Sequence, residues 1–524
     1  MTPEDSRSAK RRNFQRGVSL GAWARLSPDR TAIHSAHGDR SFSQLDQNCD
    51  RLAQALTDRG LRPGDGLALL CPNRPEFVEV MFAAERAGFR VTPIRPDLTP
   101  SEAAYMIEDC RAEAIVMDAS LDQNLLDLLC GLAGMKAKFA IGSDIEGAER
   151  YEDALAGAGP PSFQRGQIGI PMFYTSGTTG LPKGVYRSEP VSRPAMVAVG
   201  ERVKLASDRD LALALMPLCR SGLFNLSVRL PLVCGVGVVL VDGLGPIEML
   251  RLIAARRITY AYMAPNLFHS LFQLPDSVRQ AYDVSSLRNI VHTGAPCPVS
   301  LKHRLINWLG PIVTECYGGT EGGNIVISSD EWLTKPGSVG RASDRVTIRD
   351  EHGQALAATV VGEIFLAAPE RGRFEYFNAP AKTEAAYRDN SFTMGDYGYL
   401  DEDGYLYITG RSAEIINFGG MKIYPSEIDA ILLEHPAIED AGCVGIPNPE
   451  MGEEVKALVK LKPGRTECDI EAELLAHCGR FLAPYKCPRS FEFVDDLPRL
   501  DTGKLLREQL RLQHSRLLPP GGDA

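Results

Sequence analysis

Apolar and polar positions alternate along the first part of the chain in a regular order. From Ser43 to Gly60, apolar residues recur every three or four positions, which predicts a helix that ends near Gly60. The apolar run at residues 66–71 predicts a buried strand. A second helix from about Pro75 to Gly88 and a strand near residues 90–93 repeat the order. Helices alternating with apolar strands predict a largely parallel sheet that is covered on both faces.

The same pattern continues and then changes. Residues 91–118 read as strand, turn, helix and strand, and Thr99 with Glu102 forms a helix-capping signal. Residues 136–169 are weakly patterned, and we expect them to run over the surface. Central strands of a second α/β unit are predicted at residues 211–218 and 236–242. From about Gly337, short strands with glycine turns predict a small β-rich part.

These elements predict an α/β protein with three parts. Residues 1–410 form a large N-terminal domain of stacked α/β sheets with a small β-rich subdomain. A fresh helix and strand pattern begins after Gly410, so residues 411–512 form a small α+β C-terminal domain. Residues 513–524 are predicted to be a disordered tail.

Composition and charge narrow the class of function. Of the 524 residues, 44% are hydrophobic and 24% are charged, as in soluble globular proteins. The net charge of −10 argues against nucleic acid or an anionic membrane as the main partner. Twelve cysteines without C-x-x-C spacing favour free thiols and a cytoplasmic protein. We expect no signal segment and no membrane-spanning segment, since no apolar run has the required length.

The stretch Tyr174–Val185 reads YTSGTTGLPKGV and combines hydroxyl side chains, three glycines and one lysine. Glycine lets a backbone approach a ligand closely, and hydroxyls and backbone amides donate hydrogen bonds to phosphate oxygens. Pro182 precedes Lys183, where a Walker A loop would have glycine. The stretch is therefore a candidate phosphate-binding loop of another kind.

Three more segments continue the match to a known family. They read CYGGTEGG at residues 316–323, TMGDYGYLDEDGYLYITGR at residues 393–411, and LPRLDTGKLLR at residues 497–507. With the glycine-rich stretch, and in this order, they resemble the signatures of the adenylate-forming enzymes, which include acyl-CoA synthetases, luciferases and the adenylation domains of peptide synthetases. The segment HTGAPCP, residues 292–298, resembles the turn that borders adenine and the acyl channel in that family.

The resemblance implies roles for individual residues of this chain. Lys504, Thr320 and Lys183 are the predicted catalytic residues. Glu321 and Thr175 are predicted to hold Mg²⁺. The residues expected to bind ATP or CoA are Thr175, Ser176, Gly177, Thr178, Thr179, Gly180, Gly294, Ala295, Pro296, Tyr317, Gly318, Asp396, Arg411, Gly419 and Gly420. Those expected to line the acid-binding pocket are Cys219, Arg220, Tyr262, His292 and Gly319.

The resemblance also implies a domain rotation. In the family, the C-terminal domain first brings its lysine loop to the site for adenylation, and then presents a Gly-Gly turn for thioester formation. Here the lysine is Lys504, the turn is Gly419–Gly420 and the hinge is at residues 411–414. Ala413 stands in the hinge where many relatives have Asp or Lys.

One position departs from the family. Acyl-CoA synthetases commonly have Pro-Leu-aromatic-His at the wall of the acyl channel, and this chain has Cys219 and Arg220 in place of the last two. Arginine stays charged and needs an anion, a carbonyl or water. One hypothesis is that the acid carries a second polar or anionic group. The competing hypothesis is that Arg220 pairs with a structural carboxylate.

The sequence therefore predicts an ATP- and Mg²⁺-dependent carboxylate–CoA ligase. It would form an acyl-adenylate and pyrophosphate, and then acyl-CoA and AMP, on a fatty, alicyclic or aromatic acid. One alternative is an enzyme that loads the phosphopantetheine of a separate carrier protein. Another is a non-catalytic paralogue that binds nucleotide or acyl ligand, which Lys504, Glu321 and Lys183 together argue against. The oligomeric state stays open, with a homodimer as one option.

Overall fold

A computed structural model describes the chain at residues 20–163, 168–175, 182–190, 199–200, 202–203, 205–295, 297–419, 421–448, 450–464, 470–500 and 503–515. It has a mixed α/β architecture with a large N-terminal domain and a smaller C-terminal domain, as the sequence predicts. Of the predicted site residues, Ser176, Gly177, Thr178, Thr179, Gly180, Pro296 and Gly420 lie outside the described ranges.

The first sheet is entirely parallel. Its strands are, in spatial order, Arg90–Ile94, Gly66–Leu70, Ala112–Asp118, Ala137–Ile141 and Glu149–Arg150. The helices of this part are Leu20–Leu26, Phe42–Asp58, Pro75–Ala87, Pro100–Asp109, Gln123–Gly131 and Tyr151–Gly157. The interior strand Gly66–Leu70 is buried along its whole length, as expected when helices cover both faces of a sheet.

The second sheet has eight strands and carries most of the candidate site. In spatial order they are Gly322–Ile327, Val313–Gly319, Asn289–His292, Tyr260–Tyr262, Leu211–Ala214, Gly237–Leu240, Thr31–Ser35 and Arg40–Ser41. All neighbours are parallel except the two edge pairs. The helices of this part are Ser221–Leu223, the π-helix Phe224–Arg229, Leu230–Val233, Pro246–Arg256, Pro265–Gln273, Asp276–Gln280, Val299–Leu309 and Ser329–Thr334.

Two smaller sheets form the β-rich part and lie beside the site. One contains Ser338–Arg341, Tyr405–Arg411, Ser391–Leu400, Gly362–Ala367, Val346–Arg349 and Tyr387–Arg388, all antiparallel. The other contains Glu375–Tyr376, Lys183–Tyr186 and Phe173–Thr175. The helix Pro380–Ala386 connects them.

The last sheet has a hydrophobic core of its own. Its strands are Met421–Ile423, Ile416–Phe418, Gly452–Leu461, Ile438–Asn448 and Ser490–Phe493. Its helices are the 3-10 turn Ser412–Glu414, Pro425–Leu433, Ile470–Phe481 and Arg507–Ser515. The final helix extends to Ser515, so only residues 516–524 of the predicted tail lie outside the described ranges.

Local signals account for several helix ends. The helix Phe42–Asp58 begins with a capping box at Ser41 and Gln44, and Thr99 with Glu102 forms the predicted one. The prediction for residues 136–169 was wrong, because this segment adds two strands and the helix Tyr151–Gly157, whose Tyr151 side chain is buried. Tyr151 donates a 2.7 Å hydrogen bond to Glu79, a distant partner that the local pattern does not reveal.

The described cysteines are free, and most are buried. Burial raises the pKa of the Cys110 thiol to about 11, so it stays protonated at neutral pH. Among the described helices, none is both long enough and apolar enough to span a bilayer.

Candidate active site

A tight hairpin at the edge of the second sheet presents Tyr317, Thr320 and Glu321. The strand Val313–Gly319 turns directly into Gly322–Ile327, with Gly319 opposite Gly322. A Cβ atom at Gly318 would lie 2.7 Å from the carbonyl oxygen of Gly322. Glycine is therefore required for the two backbones to approach so closely. A Cβ atom at Gly319 would lie 2.7 Å from Met394 Sδ, so this glycine packs under the β-rich part.

The hairpin meets a carboxylate that an arginine and a tyrosine fix in place. The Tyr317 hydroxyl donates a 2.8 Å hydrogen bond to Asp396 Oδ2, and Arg411 Nε lies 3.0 Å from Asp396 Oδ1. Asp396 and Arg411 are opposite each other on antiparallel strands. Burial, together with the Asp396 carboxylate, raises the pKa of Tyr317 well above its ordinary value. A carboxylate accepts about four hydrogen bonds, so Asp396 has capacity left for a ligand diol.

Lys504 reaches this cluster from the C-terminal domain. Its side chain is half-buried, and its ammonium group is close enough to Arg411, Asp396 and Glu414 to interact with their charges. Burial, with repulsion from Arg411 second, lowers the pKa of Lys504 to about 8. The preceding Gly503 has a φ of +80°, and a Cβ atom there would lie 2.7 Å from Asn266 Cβ. The lysine loop is thus packed against the helix Pro265–Gln273 of the N-terminal domain.

Lys183 lies near Glu321 of the hairpin. It pairs with Thr175 across a short antiparallel ribbon, so both ends of the glycine-rich stretch are held together while residues 176–181 lie outside the described ranges. Its Nζ atom is 5.0 Å from the ring centroid of Tyr376. The Tyr376 hydroxyl donates a 3.0 Å hydrogen bond to Glu321 Oε1. Burial, and then repulsion from Lys382, lowers the pKa of Lys183.

Arg187 holds the backbone of the hairpin and was missed by sequence reasoning. Its Nη2 atom donates hydrogen bonds to the carbonyl oxygens of Thr320 (3.1 Å) and Glu321 (2.6 Å), and its Nε atom donates to Gly372 (3.0 Å). Burial lowers the pKa of this arginine. Tyr376 was missed as well. Neither residue belongs to the stretches that the sequence brings to notice, although Arg187 lies just beyond the glycine-rich one.

The wall of the predicted acid pocket is formed by a braced loop and a strand end. Asn73 donates to the carbonyls of Met216 (3.0 Å) and Val241 (2.8 Å) and accepts from the Leu218 amide (3.1 Å). This fixes the loop that ends in Cys219 and Arg220. Opposite it, the Tyr262 hydroxyl donates a 3.2 Å hydrogen bond to the Thr293 carbonyl, at the turn that continues to Gly294 and Ala295.

His292 lies apart from Tyr262. In the parallel register Tyr262 is opposite Val291 and His292 is opposite Glu315, and successive side chains of a strand point to opposite faces. The His292 ring packs edge-on against Phe268, and its Nε2 atom is 3.5 Å from Glu315 Oε2. Burial, with the Lys302 charge second, lowers the pKa of His292 far below its ordinary value. Its role in the acid pocket stays a prediction.

Gly419 lies at the tip of a hairpin in the last sheet. Its amide donates a 2.7 Å hydrogen bond to the Met451 carbonyl. The described contacts therefore join Gly419 to its own domain, while the lysine loop of that domain is the part in contact with the cluster around Asp396. That this arrangement serves adenylation stays a prediction.

A Tyr-Asp-Arg cluster, the carboxylate of Glu321 and a lysine delivered by a second domain lie around one hairpin, a set of groups that suits the activation of a carboxylic acid with ATP. The family model described as "AMP-binding enzyme" matches residues 20–373, and "AMP-binding enzyme C-terminal domain" matches residues 427–504. The chain belongs to this family. The predictions of fold class and of an AMP-forming acid–thiol ligase are thereby confirmed.

Characterised relatives cover almost the whole chain. A feruloyl-CoA synthase from Amycolatopsis sp is 31% identical over 507 residues, which is 95% of this chain and 99% of the relative. A long-chain-fatty-acid–CoA ligase from Bacillus subtilis (strain 168) is 30% identical over 523 residues, covering 92% of this chain and 91% of the relative. The structure resembles that of o-succinylbenzoate CoA synthetase (MenE) from Bacillus subtilis with its acyl-adenylate intermediate, at a TM-score of 0.76, 26% identity, and coverage of 94% and 97%.

Proposed function

We propose that this chain activates an aromatic or fatty acid as its acyl-adenylate and transfers the acyl group to free CoA. The observation that carries the proposal is Lys504, which the C-terminal domain brings, half-buried, beside Asp396 and Arg411. A lysine in this position supplies positive charge where the carboxylate attacks the α-phosphate. The relatives support the acid class, since their names specify a feruloyl group and long-chain fatty acids.

The other groups take the following roles in this proposal. Asp396 binds the ribose hydroxyls and Arg411 orients it, while the Tyr317 ring packs on adenine. Thr320 contacts the α-phosphate. The glycine-rich stretch from Thr175 to Lys183 holds the phosphates that leave as pyrophosphate. The division after residue 410 and the hinge at residues 411–414 let the C-terminal domain rotate for the second half-reaction.

Mg²⁺ fits the residues that are present. Glu321 presents a carboxylate that Tyr376 orients by a 3.0 Å hydrogen bond, and Thr175 lies at the start of the phosphate-binding stretch. Magnesium usually takes one or two carboxylates together with phosphate oxygens, so this small donor set is suitable. When bound, the ion would neutralise the triphosphate.

Buried free thiols support a reducing compartment such as the cytoplasm.

The test measures pyrophosphate release from ATP and Mg²⁺ with ferulate, related aromatic acids and fatty acids, with and without CoA. We expect one class of acid to stimulate release, CoA to raise turnover, and Lys504→Ala to lose activity. Lys486→Ala is the matched control, because Lys486 lies in the same domain but bonds only to Glu427 in the described contacts.

The result also separates the alternatives. Release that is indifferent to CoA, followed by acylation of a carrier protein, would assign the acceptor to that carrier. No release with any acid by a folded protein, or full activity of Lys504→Ala, would contradict the ligase proposal.

A further inference from the structure

We infer that Arg220 selects acids that carry a second anionic group in addition to the carboxylate that is activated. The inference rests on the proposed ligase function and specifies its substrate class. It depends on where Arg220 lies, on what it does not contact, and on the neighbouring charges.

Arg220 lies in the loop that the sequence assigns to the wall of the acid pocket. It directly precedes the short helix Ser221–Leu223, and the amide of Phe224 donates a 3.0 Å hydrogen bond to its carbonyl oxygen. A Cβ atom at Gly222 would lie 3.8 Å from the Thr293 methyl group, so the loop packs against the strand-end turn. Tyr262, which donates a hydrogen bond to the Thr293 carbonyl, is close enough to Arg220 for an electrostatic interaction. Arg220 is therefore beside the turn that borders the acyl channel.

No described residue neutralises the guanidinium of Arg220. Its Nε atom is buried and has no hydrogen-bond partner, and the described residues offer it no carboxylate within ion-pair distance. The carboxylate of Asp97 interacts electrostatically with Arg220 from beyond ion-pair distance. That carboxylate already accepts hydrogen bonds from both Nε and Nη2 of Arg95. Among the described residues, the hypothesis of a structural ion pair therefore finds no carboxylate for Arg220. A buried unpaired donor is costly, which favours a ligand as the acceptor.

A second cation lies nearby. Arg220 is close enough to Lys504 for the two positive charges to repel each other. Two cations at one pocket suit a ligand with two negative charges. One is the carboxylate to be activated, beside Lys504, and the other is a second anionic group facing Arg220. The planar guanidinium accommodates a carboxylate through two parallel hydrogen bonds, which a histidine at this position would not do.

The experiment compares acids in matched pairs. Benzoate is paired with the three benzenedicarboxylates, and hexanoate with hexanedioate. The kcat/KM for pyrophosphate release is measured for wild type, Arg220→Gln, Arg220→Lys and Arg251→Gln, an exposed arginine that serves as control. We expect wild type to prefer at least one dianion over its monoanion by about tenfold or more, as for a charged hydrogen bond. Arg220→Gln should reduce this preference to within about threefold, Arg220→Lys should keep part of it, and Arg251→Gln should match wild type.

Four outcomes would overturn the inference. Wild type could show no preference for any dianion, or Arg220→Gln could keep the preference. If Arg220→Gln lowered kcat/KM equally for both acids of each pair, Arg220 would act on the reacting carboxylate instead. In these three outcomes wild type still releases pyrophosphate from ATP when a monoanionic acid is supplied, so the ligase function stands. Silence of wild type with every acid, including those of the broader panel, would overturn the ligase function and this inference together.

Discussion

The site lowers the pKa of Lys504, the residue proposed to carry positive charge to the reacting phosphate. Burial, and then the neighbouring Arg411, lower its pKa to about 8, so it loses its proton as the pH rises through that value. Since the charged form is the one that stabilises the transition state, we predict that kcat/KM for pyrophosphate release is flat at lower pH and falls about tenfold per unit above about pH 8. A pH profile at saturating Mg²⁺ measures this.

Two variants control that profile. Lys504→Arg stays charged at every accessible pH, so whatever activity it retains should show no decline near pH 8. Arg220→Gln removes a nearby positive charge and should move the wild-type decline to higher pH. A decline at the same pH in all three proteins would assign it to another group.

Arg187 shows how one element depends on another. Its guanidinium holds two consecutive carbonyls of the hairpin that carries Thr320 and Glu321. We predict that Arg187→Met lowers kcat for adenylation by about tenfold to a hundredfold, because two buried carbonyls lose their donor and the hairpin shifts. The Mg²⁺ concentration for half-maximal activity should rise as well, and Arg187→Lys should restore part of both.

The comparison variant is Arg371→Met, which removes an exposed arginine that bonds to Glu189 in the same region. Arg371→Met should leave kcat for adenylation and the Mg²⁺ concentration for half-maximal activity near their wild-type values. Arg187→Met with reduced thermal stability but an unchanged kcat and Mg²⁺ dependence would show a structural role alone, and would contradict the positioning role.

The sequence indicated some elements and concealed others for physical reasons. Helix caps such as Thr99 with Glu102 are local, and the hairpin glycines are required by contacts within one short segment. Arg187 meets the hairpin across 133 residues of chain, and no local spacing records that contact. The alternation of strand faces that separates His292 from Tyr262 is local too, but its consequence appears only once the sheet register is known.

At the scale of the whole molecule, described hydrogen bonds join the two domains and stiffen the lysine loop in the arrangement with Lys504 inserted. His269 Nε2 lies 2.9 Å from the Glu439 carbonyl oxygen across the two domains. Within the lysine loop, Arg499 bonds to Asp440 through both Nε (2.8 Å) and Nη2 (2.6 Å). Hydrogen bonds of this kind can break and re-form, as the proposed rotation of the C-terminal domain requires.

The docking of the lysine loop gives a prediction that separates the two half-reactions. Alanine at Gly503 would place a Cβ atom 2.7 Å from Asn266 Cβ, so Gly503→Ala should disfavour the docked arrangement. Gly464→Ala is the matched control, because Gly464 has a similar φ of +82° but no atom within 4 Å of its Cβ position. We predict that Gly503→Ala slows pyrophosphate release by about tenfold more than the control does. CoA-dependent AMP release from a synthetic acyl-adenylate should stay near the control, since the proposed domain rotation removes the lysine loop from the site before that step. Equal effects on both half-reactions would mean that the substitution damages the fold, and no effect on either would mean that this contact does not govern docking.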